Sequence, residues 1–283
     1  MLNRRIWTLQ PQVAVGVDWS NPITRGLCFL VNYSDIAARN LVNGQAATFA
    51  AGTSRSVGAV GRSIYTSNTG YAAQWTGTVK TSDGAGTGTY TFLSLSAPVA
   101  EANISSLISQ AGGGGGGPQA YILANTGNAY GASAGNIAFG NSGALNASVS
   151  GTLVDGKPHC YVYVQSSTQK FLDVDGISLI TGISTADIYH EANPIIQASA
   201  IPGYSGWSRP HPHFLQAAWN RDLSLAERIS IGRNAWQLFA PLSRPVFATS
   251  AAGVSTYTLS SATWAPGSIT ATGVTPRVSV AVA

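Results

Sequence analysis

Residues 153–176 read LVDGKPHCYVYVQSSTQKFLDVDG, and residues 213–239 read HFLQAAWNRDLSLAERISIGRNAWQLF. The first string opens on the tight-turn pair Asp155-Gly156 and runs into HCYVYVQ, a strand reading. A polar break at residues 166–169 turns the chain, KFLDV returns it, Asp175-Gly176 turns it again, and residues 177–180 lead away. Three strands joined by short turns make a β-meander. The second string is a buried strand followed by one helix. Ser224-Leu225-Ala226-Glu227 fits a capping box, in which the serine accepts from the backbone three residues on and the glutamate reaches back. The spacing predicts a helix near residues 225–236, with Leu225, Ile229 and Trp236 on its packed face and Pro241 and Pro245 beyond its end. Meander, strand and single short helix in that order indicate an all-β antiparallel sandwich.

Outward from these strings the chain keeps the same character. Strands are expected at residues 26–34, 46–51, 62–67, 71–75, 87–96, 103–110, 121–124 and 136–139, separated by Gly, Ser and Asn turns. Six glycines occupy residues 112–117. A phosphate-cradling loop needs a lysine and a helix start behind it, and Pro118-Gln119-Ala120-Tyr121 supplies neither, so the glycines read as a flexible hairpin loop. Residues 1–21 read as an N-terminal arm, 22–245 as the sandwich domain, and 246–283 as a small C-terminal β tail for anchoring or oligomerisation. The tail is rich in Thr, Ser and Val, with strands expected at 257–262, 268–271 and 277–281. So small a sheet is marginal alone in water and calls for a partner surface. Tyr257, Trp264, Ile269, Val278 and Val280 are its candidate assembly residues.

Composition narrows the function classes. Hydrophobic residues make up 45% of the 283, ample for a core, whereas charged residues make up 9%, against about 25% in an average globular protein. Such a surface suits a large assembly or an extracellular setting. The net charge of +4 comes from scattered arginines, with no basic run interleaved with aromatics, so no nucleic-acid partner is expected. Cys28 and Cys160 stand far apart in strand-like runs, which makes no disulfide framework and no zinc spacing. The opening MLNRRIWTLQPQ has no apolar stretch of signal-peptide length, and no run of about 18 apolar residues occurs. Synthesis in the cytoplasm and no membrane partner are the expectations.

The meander and helix strings resemble the concanavalin A-like (laminin-G/pentraxin-type) jelly roll. The matching residues are Asp155-Gly156, His159, Tyr161 to Val164, Leu172, Val174-Asp175-Gly176, Asn220-Arg221-Asp222-Leu223-Ser224 and Glu227-Arg228-Ile229. Pro158 departs from the pattern, which usually carries Trp there. The likeness covers roughly residues 24–242, with detail in the last third. Two further strings, QPQVAVGVDWSNPITRGL (residues 10–27) and NAWQLFAP (residues 234–241), resemble tailed-bacteriophage proteins that carry this domain. The resemblance implies a jelly-roll sandwich in a virion protein, made in the host cytoplasm without a signal peptide.

Candidate chemistry is sparse. Retaining glycosidases need two carboxylates about 5 Å apart. The chain has three glutamates, Glu101, Glu191 and Glu227, the last assigned to the helix cap, and one closely spaced acidic pair, Asp173 and Asp175. Lectins of the resembled family often bind calcium, and Asp155, Asp173, Asp175 and Asp187 are the carboxylates available for it. No other cofactor is expected. The loop YSGWSRPHPH, residues 204–213, joins aromatic rings that stack on sugar faces to Arg and His donors; Tyr204, Trp207, Arg209, His211 and His213 are the candidate glycan-binding residues. The expectation is a non-enzymatic structural accessory protein of a phage particle, a capsid-decorating, head-fibre or tail-fibre component that contacts itself and other virion proteins. The alternative is a glycan-binding receptor module, and a more distant one a glycoside hydrolase.

Overall fold

The computed structural model describes residues 9–11, 13–58, 60–66, 71–76, 89–99, 105–112, 119–124, 137–141, 144–149, 153–184, 194–199, 211–242, 246–249 and 256–259. The chain divides into two compact units, Met1–Ala240 and Pro241–Ala283. Along the first half run β1 (Val15–Val17), β2 (Leu27–Asn32), β3 (Thr48–Phe49), β4 (Thr53–Gly58), β5 (Gly61–Thr66), β6 (Ala73–Thr76), β7 (Tyr90–Ser96), β8 (Ser105–Gly112), β9 (Gln119–Ala124) and β10 (Ile137–Asn141). Then follow β11 (Ala144–Val149), β12 (His159–Gln165), β13 (Gln169–Val174), β14 (Ile177–Ser184), β15 (Pro194–Ser199) and β16 (His213–Trp219). Helix α1 (Leu225–Arg233), a 3-10 turn (Ala235–Leu238), β17 (Phe239–Pro241), β18 (Val246–Thr249) and β19 (Thr256–Leu259) complete the described elements.

Two antiparallel sheets form the first unit. One has the order β11-β10-β9-β8-β15-β6-β3, the other β14-β13-β12-β7-β16-β5-β4, with β2 also pairing β16. Among the described residues α1 is the single α-helix, so the expected all-β sandwich with one short helix stands. The meander is present as β12, β13 and β14, neighbours in sequence and in the sheet. Of the glycine run, Gly112 ends β8 and residues 113–117 lie outside the described residues, between the antiparallel neighbours β8 and β9.

Alternation along β12 sorts its side chains between two cores. Tyr161 and Tyr163 pack between the sheets with Phe29, Trp75, Phe92, Leu172 and Val174. Cys160, Val162 and Val164 pack on the opposite face with Leu93, Leu95, Trp219, Ile231 and Trp236. That second core exists because a third layer covers the sheet: β1, the 3-10 turn Pro22–Thr24, α1 and the turn Ala235–Leu238. Hence β7 and β16 are buried along their whole length, on both faces. Burying one large apolar side chain contributes about 1.5–3 kcal/mol. The buried indoles keep their polar partners, Trp75 Nε1 donating to Ala38 O (3.1 Å) and Trp219 Nε1 to Ile23 O (2.8 Å).

Helix α1 starts as read. Ser224 accepts from Glu227 N, and Glu227 accepts from Ser224 N at 2.8 Å, completing the capping box. Its packed face differs in part from expectation, since Trp236, in the 3-10 turn that follows, is buried as read. Arg228, Ile231 and Gly232 are the buried positions, while Leu225 is 53% exposed. The reason is Gly232, which lets the helix lie directly on the turn after β13: a Cβ there would stand 2.8 Å from Gly176 Cα. Helix register follows this backbone contact and the Arg228 ion pair rather than the leucine and isoleucine spacing.

Cys28 and Cys160 are free thiols. Cys28 packs toward the core between the sheets and Cys160 toward the outer one, on opposite faces of one sheet. Burial raises the Cys28 thiol to about 12 and raises Cys160 as well. In the second unit β18 pairs antiparallel with β19. The tail strand expected from Tyr257 is thus β19, preceded by an unforeseen partner in β18; the strands expected at 268–271 and 277–281 lie outside the described residues.

Candidate functional site

The expected glycan loop leaves β15 at Ser199 and returns at His211. Tyr204, Trp207 and Arg209 lie outside the described residues. Both histidines belong to the returning stem and are fully buried. His213 opens β16 in register with Ser96 of β7. Its Nδ1 lies 2.9 Å from Ser96 Oγ and its Nε2 2.9 Å from Ser199 Oγ. The neighbouring serines set the direction of each hydrogen bond. Ser94 Oγ donates to Leu107 O (3.0 Å), so in the 2.6 Å contact between Ser94 and Ser96 the donor is Ser96. Ser96 must then accept from Nδ1–H, and Nε2 accepts from Ser199. The chain Ser199, His213, Ser96, Ser94, Leu107 O therefore runs one way and fixes a neutral imidazole protonated on Nδ1.

Burial, and secondarily the nearby His211, lower the His213 pKa to about 3. Loss of hydration disfavours the charged ring, and the serines satisfy the neutral one. Ser199 holds a left-handed backbone, φ +74°. Beside this chain Gln216 Nε2 donates to Leu107 O (2.5 Å) and takes the Tyr33 hydroxyl on Oε1 (2.6 Å). His211 Nδ1 accepts from Val99 N (3.3 Å), and Ala97 N donates to Pro212 O (2.9 Å). Serine beside histidine is the geometry of a nucleophile and its base, yet Ser96, Ser199 and His213 are each fully buried. The array ties the two stems of loop 200–210 to β7. His211 and His213 thus differ from the sequence reading: both rings are buried and present no face to a surface glycan.

A second polar group sits at the rim of β12. His159 Nδ1 meets Asp175 Oδ2 at 2.6 Å, its Nε2 meets Asp155 Oδ1 at 3.2 Å, and Lys157 Nζ lies 3.0 Å from Asp155 Oδ2. The hydrogen bond to Asp175, foremost, raises the His159 pKa. The Lys157 backbone N–H, then its ammonium, hold Asp155 down at about 2. Asp175, at φ +52°, also accepts from Cys160 N (2.8 Å). The two carboxylates address different ring nitrogens, so their oxygens do not converge on one point.

The calcium candidates separate accordingly. Asp173 is buried against α1, its Oδ2 2.5 Å from Arg228 Nε and its Oδ1 accepting from Ser178 Oγ (2.5 Å), so a guanidinium occupies the place a cation would take. Asp175 belongs to the rim cluster, and Asp187, like Glu101 and Glu191, lies outside the described residues. Among the described residues no group of three or more His, Cys, Asp or Glu side chains is arranged to hold a metal. Nor do Asp173 and Asp175 form a glycosidase pair, since the first is ion-paired inside. Glu227 is held low, at about 2, chiefly by Arg221, whose guanidinium grips both of its oxygens at 2.6 and 3.0 Å. Of the assembly candidates, Tyr257 lies in β19, and Trp264, Ile269, Val278 and Val280 lie outside the described residues.

The strings QPQVAVGVDWSNPITRGL and NAWQLFAP meet in the third layer. Strand β1 pairs β17. Asp18 N donates to Leu238 O (2.8 Å) and Asn21 Nδ2 to Gln237 O (3.0 Å). At the other end Gln10 Nε2 donates to Asn32 Oδ1 and Arg62 O, both at 2.9 Å. Val15, Val17, Ile23 and Leu27 of the first string therefore pack with Ala235, Trp236, Leu238 and Phe239 of the second over the outer core. The sequence alone reads residues 1–21 as an N-terminal arm; the signal for packing is the buried alternation Val15, Val17. It misses the Ser96–His213–Ser199 chain as well, though Ser94 and Ser96 already alternate onto one face of the run TFLSLS.

No protein-family model and no curated protein matches the sequence. Among solved structures the chain is similar to the binding domain of Paraclostridial Mosquitocidal Protein 1, at 10% identity and TM-score 0.53 over 74% of this chain and 52% of that one. It is similar also to Trypanosoma rangeli sialidase in complex with a difluoro-KDN, at 15% identity and TM-score 0.52 over 77% of this chain and 36% of that one. A covalent intermediate of the same sialidase with 2,3-difluorosialic acid gives 16% identity and TM-score 0.52 over 74% and 33%. The chain spans about half the length of the first and about a third of the sialidase. At these identities the likeness is one of fold: an all-β sandwich of jelly-roll type.

Proposed function

We propose that the chain is a non-enzymatic accessory component of a bacteriophage particle, a capsid-decorating or fibre protein made in the host cytoplasm. The observation that carries this reading is the third layer. Two strings about 200 residues apart in the chain, each resembling tailed-phage proteins, close on one another through β1, β17 and the Asp18–Leu238 and Asn21–Gln237 bonds. A likeness confined to one folded unit supports common descent of that unit better than two scattered strings would. The charged fraction of 9% supports a protein whose surface is largely covered in an assembly. The sandwich is then a rigid body, and the flanks attach it. Cryo-EM of purified particles tests this: extra density fitted by the sandwich is expected, and particles lacking it count against the reading.

A second reading, a glycan-binding module, is favoured by one feature. The stems of loop 200–210 are tied by the His213 chain, which would present that loop on a fixed base. One structure of similar fold is the binding domain of a mosquitocidal protein and another is a sialidase. A glycan array probed with the full chain and with Trp207→Ala separates the readings: a hit lost in the variant supports the module, and no hit leaves the structural role.

A further inference from the structure

His159 opens β12, and its ring lies between two turns. Nδ1 meets Asp175 Oδ2 at 2.6 Å, in the turn after β13, and Nε2 meets Asp155 Oδ1 at 3.2 Å, in the turn before β12. A carboxylate only accepts hydrogen bonds, and a neutral imidazole has one N–H to give. Two ring nitrogens facing two carboxylates therefore call for two N–H groups, which is the imidazolium. The ring is shielded from most of the solvent, its side chain 17% exposed.

Each carboxylate also has a hold of its own. Asp155 Oδ1 accepts from Lys157 N (2.8 Å), and its Oδ2 lies 3.0 Å from Lys157 Nζ. Asp175 Oδ1 accepts from Cys160 N at 2.8 Å. From α1, Arg233 lies against the second turn, its Nε 3.4 Å from where a Cβ on Gly176 would stand. Tyr161, next on the same face of β12, sets its ring edge-on to the imidazole with centroids 6.1 Å apart. Burial, and then the nearby carboxylates, raise the pKa of the Tyr161 hydroxyl, and burial raises that of the Cys160 thiol, so both stay uncharged. Ser96, opposite His159 on β7, and Val99, against Gly156, bring no charge. Lys157 and Arg233 thus each attend one turn, and His159 alone faces both carboxylates.

We propose that His159 is a proton-operated tie between these two turns, closed by the imidazolium and opened when the ring loses a proton. The proton to leave is the one on Nε2, where the contact is the longer. The neutral ring keeps Nδ1–H on Asp175 and turns a lone pair toward Asp155, so the link to the first turn breaks and the link to the second stays. The first turn ends the connection from β11 in one sheet to β12 in the other, and the second seats Gly232 of α1. The tie therefore couples an inter-sheet connection to the seat of the helix. The hydrogen bond to Asp175, foremost, raises the His159 pKa. The tie is then closed below the ordinary histidine value, about 6.5, and opens as pH rises through the folded value. His213, with a pKa of about 3, stays neutral throughout that change.

NMR titration of the isotope-labelled full chain, from about pH 5 to about pH 9, tests it across the ordinary histidine range. Both His159 ring nitrogens should carry protons below the midpoint, and the Nδ1–H tautomer should remain above it. The midpoint should lie above about 6.5, and the amide resonances of Gly156 and Lys157 should move with that same midpoint. Asp175→Asn removes the charge and keeps a residue type that tolerates the left-handed backbone at this position, φ +52°. It should lower the midpoint by about one pH unit or more. The titration of the parent chain decides the matter even where that variant folds poorly. A midpoint at or below about 6.5 overturns the proposal, as does a neutral ring with the proton on Asp175, or the Nε2–H tautomer. Turn amides indifferent to the titration, or a midpoint unchanged in Asp175→Asn, would overturn it equally.

Discussion

Arg228 of α1 and Asp173 of β13 form an ion pair closed to solvent, Nε to Oδ2 at 2.5 Å, with side chains 7% and 1% exposed. The guanidinium lies over the Phe171 ring at 4.4 Å and donates to Leu223 O (3.3 Å). Removing one partner strands the other charge in the interior, which typically costs about 3–5 kcal/mol. Arg228→Ala should lose stability of that order in urea unfolding at neutral pH. The double replacement Arg228→Met with Asp173→Leu should recover most of it, because it leaves no buried charge. A single variant within about 1 kcal/mol of the parent would mean that water reaches the pair.

Gly232 should tolerate no side chain. A Cβ there meets the backbone of Gly176, and one on Gly176, at φ +76°, meets Ile229 O at 2.8 Å. Gly232→Ala must push α1 off the sheet, and overpacking of this kind costs about 1–3 kcal/mol. A lowered thermal midpoint with unchanged far-UV dichroism is the expected signature.

The helix cap gives a smaller, separable effect. Ser224→Ala removes the side-chain acceptor for Glu227 N and should cost about 1 kcal/mol. Glu227 keeps its two contacts with Arg221, so the residue should stay in place and the loss should remain that of a cap alone.

Acid should weaken the sandwich through His213. Its pKa falls from 6.5 when unfolded to about 3 when buried. Above 6.5 both states are neutral and the array contributes fully. As pH falls from 6.5 toward 3 the unfolded chain takes up a proton that the folded one refuses, so stability declines, by at most about 5 kcal/mol. His159 acts in the opposite sense: its raised pKa means that its contribution is present in acid and is lost as pH rises through the folded value. Unfolding curves between pH 4 and 7 should therefore steepen in acid for the parent and flatten for His213→Gln. An equal acid slope in both would assign the loss to other groups.

Local features were legible in the sequence and long-range ones were not. The β12–β14 meander and the Ser224 cap depend on residues a few positions apart, and turn chemistry announces them. His213 meets Ser96 across 117 residues and Arg228 meets Asp173 across 55. Until the topology brings β7, β13, β16 and α1 together, His213 reads as a loop donor and Asp173 as a calcium ligand. The third layer misleads in the same way. Leu93 and Leu95 look like one face of an ordinary strand, yet both faces of β7 are buried because residues 10–27 fold back over it. That packing also turns the helix: once Gly232 meets Gly176, Leu225 faces solvent whatever its hydropathy.

Quantitative mass spectrometry of gradient-purified phage particles decides whether the chain is a virion component. The chain should co-purify with the major capsid or tail protein at a fixed ratio through successive gradients, with its copy number matching a symmetric site on the particle. Its absence from such particles, with the whole pool left soluble in the lysate, would contradict the proposed role.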